Sequence, residues 1–222
     1  MDERQLANVF LYLQDEGACN VNLVTPQHFS DKIARALEIA KPSLDIPVVY
    51  NTNSYEKASS LRRLEGLADV YLPDLKFCDA DLAQKMCGVA DYFEVATAAV
   101  CEMRRQQPED VFANGLLKKG VIVRHLVLPG HVEDSKKVLD WLKNFDQYVY
   151  VSLMAQYFPT HVDAEFPELN RRVSRREYAA VSDYFFNVGL KNGFSQEAES
   201  ATEDFVPQFD LAEVKKILEK IC

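Results

Sequence analysis

The sequence predicts an α/β fold in which about five parallel strands alternate with helices. The β-prone runs are short and continuously apolar, as in strands that are buried on both faces of a parallel sheet. Segments with apolar residues at helical spacing lie between them, which suits strands joined by right-handed crossovers. The chain begins with such a helix rather than with a strand. The predicted sheet is therefore either open at that edge or has its first strand missing.

Proline, glycine and polar turn residues terminate the predicted elements. The predicted strands are residues 21–24, 46–50, 70–72, 121–128 and 148–154. The predicted helices are residues 2–16, a helix carrying Ile33 to Ala40, a helix carrying Leu61 and Leu64 that Ser54 caps, two pieces between 79 and 107 that part near Gly88, residues 134–144, a helix from the capping box Ser174/Glu177 to about Val188, and residues 210–221.

Composition restricts the classes of partner. The 222 residues carry a formal net charge of -9 at pH 7, the opposite sign to most nucleic-acid binders. The arginine pairs at 62–63, 104–105 and 171–172 are interpreted as solvated surface. No run approaches the ~20 apolar residues of a membrane span, and the polar residues 1–5 are not expected to form a secretory signal. The five cysteines are scattered, as is typical of reduced thiols. A soluble, cytoplasmic protein is expected, with neither nucleic acid nor membrane as its partner.

Polar residues collect where the predicted strands end, which is the edge at which parallel α/β folds bind ligands. Asp74 and Lys76 lie two residues apart, so in an extended strand both point to one side and offer a carboxylate and an ammonium to a zwitterionic ligand. Arg124 lies in an apolar strand, where an unpaired charge would be costly. The complete sets are residues 25–28 (Thr-Pro-Gln-His), 51–53 (Asn-Thr-Asn), Asp74 with Lys76, and Arg124 with His125.

Each set also has a purely structural interpretation. An Asp-Leu-Lys triplet is common on surfaces, residues 51–53 can form an Asx turn before a helix, and Arg124 can pair with a core carboxylate. The histidines lack the spacing of zinc ligands, so no metal ligand and no catalytic residue is predicted; these histidines are His28, His125, His131 and His161.

Taken together, these segments resemble the radical S-adenosylmethionine superfamily, in particular the pyruvate formate-lyase activating enzymes and their activase-like relatives. The resemblance covers nearly the whole chain. The segments that carry it are residues 20–29 (NVNLVTPQHF), 46–53 (IPVVYNTN), 69–76 (DVYLPDLK), 123–130 (VRHLVLPG), 167–172 (PELNRR) and 203–207 (EDFVP).

The resemblance implies a single domain, with a partial (β/α)6 barrel core at residues 1–160 and a C-terminal helical extension at 161–222. It also implies that S-adenosylmethionine lies across the strand ends. Asp74 and Lys76 look like the pair that faces the methionine carboxylate, and Arg124 looks like the strand arginine that steadies the cofactor. Residues 51–53 are similar to an Asp-Thr-Asn-Gly turn, with Asn51 in place of the Asp, while residues 24–27 replace a Gly-Gly-Glu motif. The implied cofactor-binding residues are Thr25, His28, Asn51, Thr52, Asn53, Asp74, Lys76 and Arg124.

In that family a CxxxCxxC loop supplies three thiolates to a 4Fe-4S cluster. Reductive cleavage of S-adenosylmethionine then gives a 5′-deoxyadenosyl radical, which in activating enzymes generates a glycyl radical on a partner enzyme. This sequence contains no CxxxCxxC, so the family's first strand and cluster loop are expected to be missing and the chain alone to be inactive. The cysteines are instead predicted to be buried thiols: Cys19 stands alone, and Cys78, Cys87 and Cys101 are widely spread.

Three interpretations stay open. The chain is a fragment or mis-started reading frame of an activase-like enzyme, a natural cluster-less paralogue that binds S-adenosylmethionine or a partner protein, or an unrelated α/β binding module. The expected partner is a glycyl-radical enzyme or another protein substrate. An open sheet edge would also favour self-association.

Overall fold

The computed structural model describes residues 1–159 and 166–195. Within these ranges the chain forms two compact units: the first contains residues 1–72 and 98–121, and the second contains 73–97, 122–159 and 166–195. The predicted helix at 210–221, the segment 203–207, His161 and Cys222 lie outside the described residues.

Seven α-helices are described, and side-chain caps begin three of them. Asp2 and Gln5 form a capping box at the first helix, Asp79 caps the fourth, and the predicted box of Ser174 and Glu177 opens the seventh. The helices are α1 (Glu3–Asp15), α2 (Ser30–Ala40), α3 (Ala58–Leu61), α4 (Ala80–Cys87), α5 (Tyr92–Gln106), α6 (Val132–Phe145) and α7 (Arg175–Val188), with 3-10 helices at Pro26–Phe29, Lys41–Ser43, Arg62–Leu64 and Pro167–Asn170.

The strands form one sheet, and the predicted α/β class with a parallel sheet is confirmed. The order is β1-β2-β3-β5-β6-β7, so among the described strands the sheet is open and has the form of a partial barrel. Only β4 is antiparallel among the described pairs, on β5. The strands are β1 (Val21–Val24), β2 (Val48–Thr52), β3 (Val70–Pro73), β4 (Val111–Ala113), β5 (Leu116–Leu126), β6 (Tyr150–Met154) and β7 (Asn192–Ser195).

The strands differ from the predictions at several boundaries and by one additional strand. The second strand continues through Asn51 and Thr52, because Asn51 pairs in parallel with Val24 and its carbonyl accepts from the Thr25 amide at 2.8 Å. The strand predicted from residue 121 begins at residue 116, because the Asn114–Gly115 turn pairs it with β4. The sixth parallel strand, β7, was not predicted.

An apolar cluster holds the first unit together. Ala7 and Phe10 of α1 share it with Leu37 of α2 and with Val21 and Val48 of the two neighbouring strands. All five are almost fully buried. Each Å² of apolar surface removed from water stabilises the fold by ~25 cal/mol. The amphipathic spacing read from the sequence therefore places α1 and α2 on the sheet.

The solvated role predicted for the arginine pairs is wrong for Arg104. Its guanidinium makes a bidentate ion pair with Asp110, with both N–O distances at 2.9 Å, and both side chains are largely buried. Asp110 also accepts from the Val121 amide at 3.0 Å. A Cβ at Gly120 would lie 2.2 Å from Asp110 Oδ1, so the strand needs glycine there. The ion pair with Asp110, just before β4, compensates for the burial of the Arg104 charge.

The helix cap predicted at Ser54 is also wrong. The α3 helix begins after Lys57 and has no side-chain cap, whereas Ser54 is buried in a left-handed conformation, with φ 65°. Its hydroxyl has no hydrogen-bond partner among the described residues. Both features destabilise the folded chain, because left-handed backbone and an unpaired buried hydroxyl each cost free energy.

Among the described residues, no helix has the length and apolar character needed to cross a bilayer.

We predict that Ser54→Gly raises the free energy of unfolding by about 1 kcal/mol. Glycine removes the left-handed strain and the buried hydroxyl, and these gains exceed its entropy cost of roughly 0.5–1 kcal/mol. Urea unfolding measures the change. The control is Asn114→Gly, at an exposed position with φ 52°, where asparagine tolerates this conformation and the change should stay below ~0.5 kcal/mol. A loss of stability in Ser54→Gly would contradict the strain argument.

Candidate functional site

Three of the predicted site residues come together in the second unit. Arg124 Nη2 lies 2.6 Å from Asp74 Oδ1, and Lys76 Nζ lies 3.6 Å from Asp74 Oδ2. The carboxylate therefore stands between two cations. The two-residue spacing of Asp74 and Lys76 led us to expect their side chains on one side, but not the contact between Asp74 and Arg124. The structural interpretation of Arg124 as a paired strand charge is also satisfied, and both interpretations use the same contact.

Backbone pairing between the strands places Asp74 beside Arg124. Asp74 follows β3 and forms an isolated parallel bridge with Arg124 of β5, and the Leu75 amide donates to the Arg124 carbonyl at 2.9 Å. Arg124 alternates along β5 with Val123 and His125, which are buried on the other face. The register thus brings the two charged side chains to the same face.

Tyr92, the first residue of α5, fixes the segment between Asp74 and Lys76. Its hydroxyl donates to the Asp74 carbonyl at 3.0 Å and accepts from the Lys76 amide at 3.1 Å. The ring is almost fully buried and packs edge-to-face on Phe77, with centroids 5.5 Å apart. Burial raises the pKa of the Tyr92 phenol, so it stays protonated and can donate. The strand end is therefore held by a hydroxyl that uses both of its hydrogen-bonding roles.

His125 anchors the same strand end from the buried face of β5. Its Nδ1 lies 2.7 Å from the Leu75 carbonyl, which can only accept, so Nδ1 carries the proton. The side chain is 1% exposed, and burial lowers its pKa. His125 is thus a neutral structural donor in the folded protein.

A cavity of about 340 Å³ lies beside these charges. Its size falls within the range of small-molecule pockets, and most of its lining is apolar. The lining consists of Asp74, Lys76, Phe77, Met86, Cys87, Arg124, Leu126, Leu128, Met154 and Tyr157. It combines both signs of charge with surface that suits an aromatic ring.

A second cavity, of about 380 Å³, is lined mainly by charged residues at the starts of α4 and α6. Two of its carboxylates, Asp134 and Asp79, are already engaged by the fold. Asp134 accepts from the Cys78 and Asp79 amides at 2.7–3.2 Å, and Asp79 caps α4 by accepting from the Leu82 amide at 2.9 Å. The smaller cavity is therefore the better candidate site.

The other predicted site residues lie in the first unit, after β1 and β2. Thr25 and His28 are exposed, and Thr25 begins the 3-10 helix in a left-handed conformation. Asn53 Oδ1 accepts from the Tyr55 amide at 3.0 Å, which is the Asx turn considered from sequence, and from Gln27 Nε2 at 3.3 Å. These contacts join the two strand ends to each other.

Thr52 and Asn51 differ in exposure. Asn51 is half-buried, whereas Thr52 is 1% exposed and donates to Glu56 Oε1 at 2.6 Å. Glu56 also accepts from the Tyr50 hydroxyl at 2.8 Å, and burial raises the pKa of its carboxyl. Thr52 is therefore tied to a buried carboxylate that the sequence reasoning missed.

No protein-family profile matches the chain. An uncharacterised protein, MJ0674, of Methanocaldococcus jannaschii is 30% identical over 178 residues, which are 78% of this chain and 48% of that protein. The chain thus spans about half the length of this curated relative.

Three solved structures share the fold. A domain of pyruvate-formate lyase-activating enzyme from Bacteroides vulgatus matches with a TM-score of 0.57 and 13% identity, over 82% of this chain and 99% of that one. Streptococcus suis SuiB bound to S-adenosylmethionine matches with 0.58 and 15%, over 95% and 46%. Methylornithine synthase (PylB) matches with 0.53 and 13%, over 98% and 70%. The chain has the radical S-adenosylmethionine fold. At 13–15% identity, this similarity shows the fold of the chain and not its activity.

The described residues of this radical S-adenosylmethionine fold do not fit an iron–sulfur cluster. No group of three His, Cys, Asp or Glu side chains in residues 1–159 and 166–195 could hold a metal ion. The prediction of buried thiols is wrong: Cys78 is half-buried, and Cys19, Cys87 and Cys101 are exposed. Strand ends and the outer faces of helices place them at the surface.

Sequence reasoning missed most of the cavity wall. Tyr157 follows β6, so the strand-end argument could have found it. Met86 and Cys87 lie in the last turn of α4, where no sequence pattern marks them as lining residues.

We predict that Tyr92→Phe lowers the free energy of unfolding by about 1–3 kcal/mol, because the Lys76 amide and the Asp74 carbonyl lose a buried partner. Urea unfolding measures the loss. Tyr184→Phe is the matched control, because its hydroxyl donates to Asp140 at 2.7 Å in a partly exposed position and should cost no more than about 1 kcal/mol. Equal losses of stability in the two variants would contradict the role of Tyr92 in holding the backbone of residues 74–76.

We predict that the stability lost in His125→Leu is larger at pH 7.5 than at pH 5.5. Because the folded pKa of His125 is lowered, the unfolded chain binds its proton first, so the wild type loses stability as pH falls below about 6.5. The leucine variant lacks this proton uptake. Urea unfolding at the two pH values tests it, and the same deficit at both would rule it out.

Proposed function

We propose that the chain binds S-adenosylmethionine in the cavity beside Asp74, Lys76 and Arg124, as the cofactor-binding part of a protein resembling the activating enzymes. The observation that carries the proposal is the convergence of three charged side chains on an apolar cavity of about 340 Å³. The solved complex of SuiB with S-adenosylmethionine, which shares this fold, supports it.

The charges suit the amino-acid part of the ligand. Lys76 is 39% exposed and stands 3.6 Å from Asp74, so its ammonium can turn toward a ligand carboxylate. Asp74 is 16% exposed and is held more closely by Arg124, so it keeps its position and offers an acceptor to a ligand ammonium. Such charge-assisted hydrogen bonds are roughly twice as strong as neutral ones.

The apolar part of the lining suits the adenosine. Leu126 and Met154 lie on neighbouring strands in direct register, and Phe77 follows the clamped strand end. Tyr157 adds an aromatic ring on which a base can stack. Thr25, His28, Asn51, Thr52 and Asn53 of the first unit remain predicted cofactor contacts.

Bound S-adenosylmethionine would supply a sulfonium whose bond to the 5′ carbon of the adenosyl group breaks on one-electron reduction. For the whole protein we propose this reductive cleavage, with generation of a glycyl radical on a partner enzyme, by analogy with the activating-enzyme domain that shares the fold. The described residues do not fit the cluster that would deliver the electron, so no step is assigned to them. A cytoplasmic location is part of this proposal.

The cysteines of the described residues are scattered and form no metal-binding group. This favours a second candidate, a cluster-less protein that binds S-adenosylmethionine or a partner without radical chemistry. The first candidate requires the cofactor to bind, and so does the second where its ligand is S-adenosylmethionine and not a partner protein. They separate on reductive cleavage of the bound cofactor by the full-length protein.

We predict that Lys76→Met weakens binding of S-adenosylmethionine at least about tenfold in calorimetric titration, since one charge-assisted contact is worth roughly 1.4 kcal/mol or more. Lys41→Met is the matched control, because Lys41 pairs with Asp69 at 3.2 Å at similar exposures, 36% and 17%. It should leave the affinity unchanged. Equal affinities for both variants and the wild type, or no binding by the wild type, would refute the site.

A further inference from the structure

Glu177 is the most heavily hydrogen-bonded carboxylate described in the second unit. Its Oε1 accepts from the Gly130 amide at 2.7 Å and from Arg171 Nη2 at 2.8 Å. Its Oε2 accepts from Arg171 Nη1 at 2.8 Å, from the Ser174 amide at 2.8 Å and from the Ser174 hydroxyl at 2.6 Å. These donors hold the pKa of Glu177 well below its usual range.

Helix capping does not require so many partners. The capping box of α1 is closed by Gln5, which accepts from the Asp2 amide at 2.9 Å within the first turn. Glu177 closes the equivalent box of α7 and in addition binds Gly130, from the loop after β5, and Arg171, from the segment before α7. The carboxylate therefore joins the loop after β5 to the segment that leads into α7.

The loop after β5 approaches the segment before α7 closely. Gly130 has φ 84°, and a Cβ there would lie 3.2 Å from both Cβ and Cγ of Glu168. His131 Nε2 lies 3.4 Å from Glu168 Oε1, which adds a weak second contact. A Cβ at position 130 would be strained at this φ and would press on the Glu168 side chain, so glycine suits the contact that Glu177 fixes.

Both stretches are connected to the wall of the 340 Å³ cavity, the loop after β5 through the chain itself and the segment before α7 through a hydrogen bond. Leu128 lines the cavity two residues before Gly130. Tyr157 also lines it, and its hydroxyl donates at 3.0 Å to the carbonyl of Leu169, a buried residue of the segment that Glu177 holds. The carboxylate is thus connected to two apolar lining residues without touching the cavity itself.

We infer that Glu177 is a positioning residue for the cavity: by binding Gly130 and Arg171 together it sets the places of Leu128 and Tyr157 in the wall that receives the apolar part of the ligand. The inference about the ligand rests on the proposed function. The inference about the wall rests on the contacts alone.

The test exchanges glutamate and glutamine at the third residue of the two helices that begin with a capping box, α1 and α7. Glu177→Gln keeps a capping-box acceptor, as Gln5 shows, but an amide has one acceptor oxygen and cannot satisfy donors at both positions. Gln5→Glu is the matched control. The readouts are the exchange rate of the Gly130 amide, the NMR signals of the Leu128 methyls and the Tyr157 ring, and the dissociation constant for S-adenosylmethionine.

For Glu177→Gln we expect faster exchange at Gly130, shifted Leu128 and Tyr157 signals, and a dissociation constant raised about three- to tenfold. Gln5→Glu should change none of these. Faster exchange with unchanged wall signals would overturn the inference, and so would shifted wall signals with an unchanged affinity. If Glu177→Gln does not fold, Arg171→Gln tests the same carboxylate and should give the same three changes.

Failure of the proposed function gives a different pattern. If the wild type does not bind S-adenosylmethionine, that function falls, while the Gly130, Leu128 and Tyr157 signals still decide whether Glu177 positions the wall. Shifted wall signals then support the inference, and unchanged ones refute it.

Discussion

A cation inside an apolar strand imposes the main constraint on the second unit. Arg124 is only 26% exposed, and a guanidinium cannot lose its charge, so the fold must supply an anion at that depth. Asp74 is that anion, 2.6 Å away, and the parallel bridge between the two residues means that the strand pairing itself delivers it. Removing Asp74 would leave the largely buried guanidinium without this carboxylate, whereas removing Arg124 would leave Asp74 paired with Lys76 at 3.6 Å.

The other contacts around this pair keep Asp74 in place. Tyr92 binds the backbone on both sides of Leu75, and His125 binds the Leu75 carbonyl from the opposite face of β5. A carboxylate fixed in this way can leave Lys76 more loosely held, at 3.6 Å, without losing its position. The rigid pair and the looser ammonium together give a site that is charged before any ligand arrives, which lowers the reorganisation needed for binding.

The sequence predicts those parts of the fold that depend on local chemistry. The capping box at Ser174 and the position of Asp74 and Lys76 on one side of the strand follow from residue spacing, and both are present. The β4–β5 hairpin had a signal in Asn114–Gly115, a turn dipeptide between apolar residues, that was not used. β7 has no such signal, because Asn-Gly-Phe-Ser is a weak strand sequence that pairs only because β6 presents an unsatisfied edge. Met86 and Cys87 enter the cavity through tertiary packing, which residue spacing does not encode.

The strand-end residues of the first unit show why a polar set at a strand end is an ambiguous signal. Thr52 uses its hydroxyl twice, donating to Glu56 and accepting from the Ser54 amide at 3.1 Å, so its hydrogen-bonding capacity is taken up by the turn. Thr25 and His28 are exposed, and within the part of the chain that the structure describes their side chains make no such hydrogen bonds. A fold must satisfy the backbone groups that its strands leave behind before side chains at the same edge can serve a ligand. Lys76, whose charge the fold pairs incompletely, is therefore a better candidate for ligand binding than strand-end residues that are simply polar.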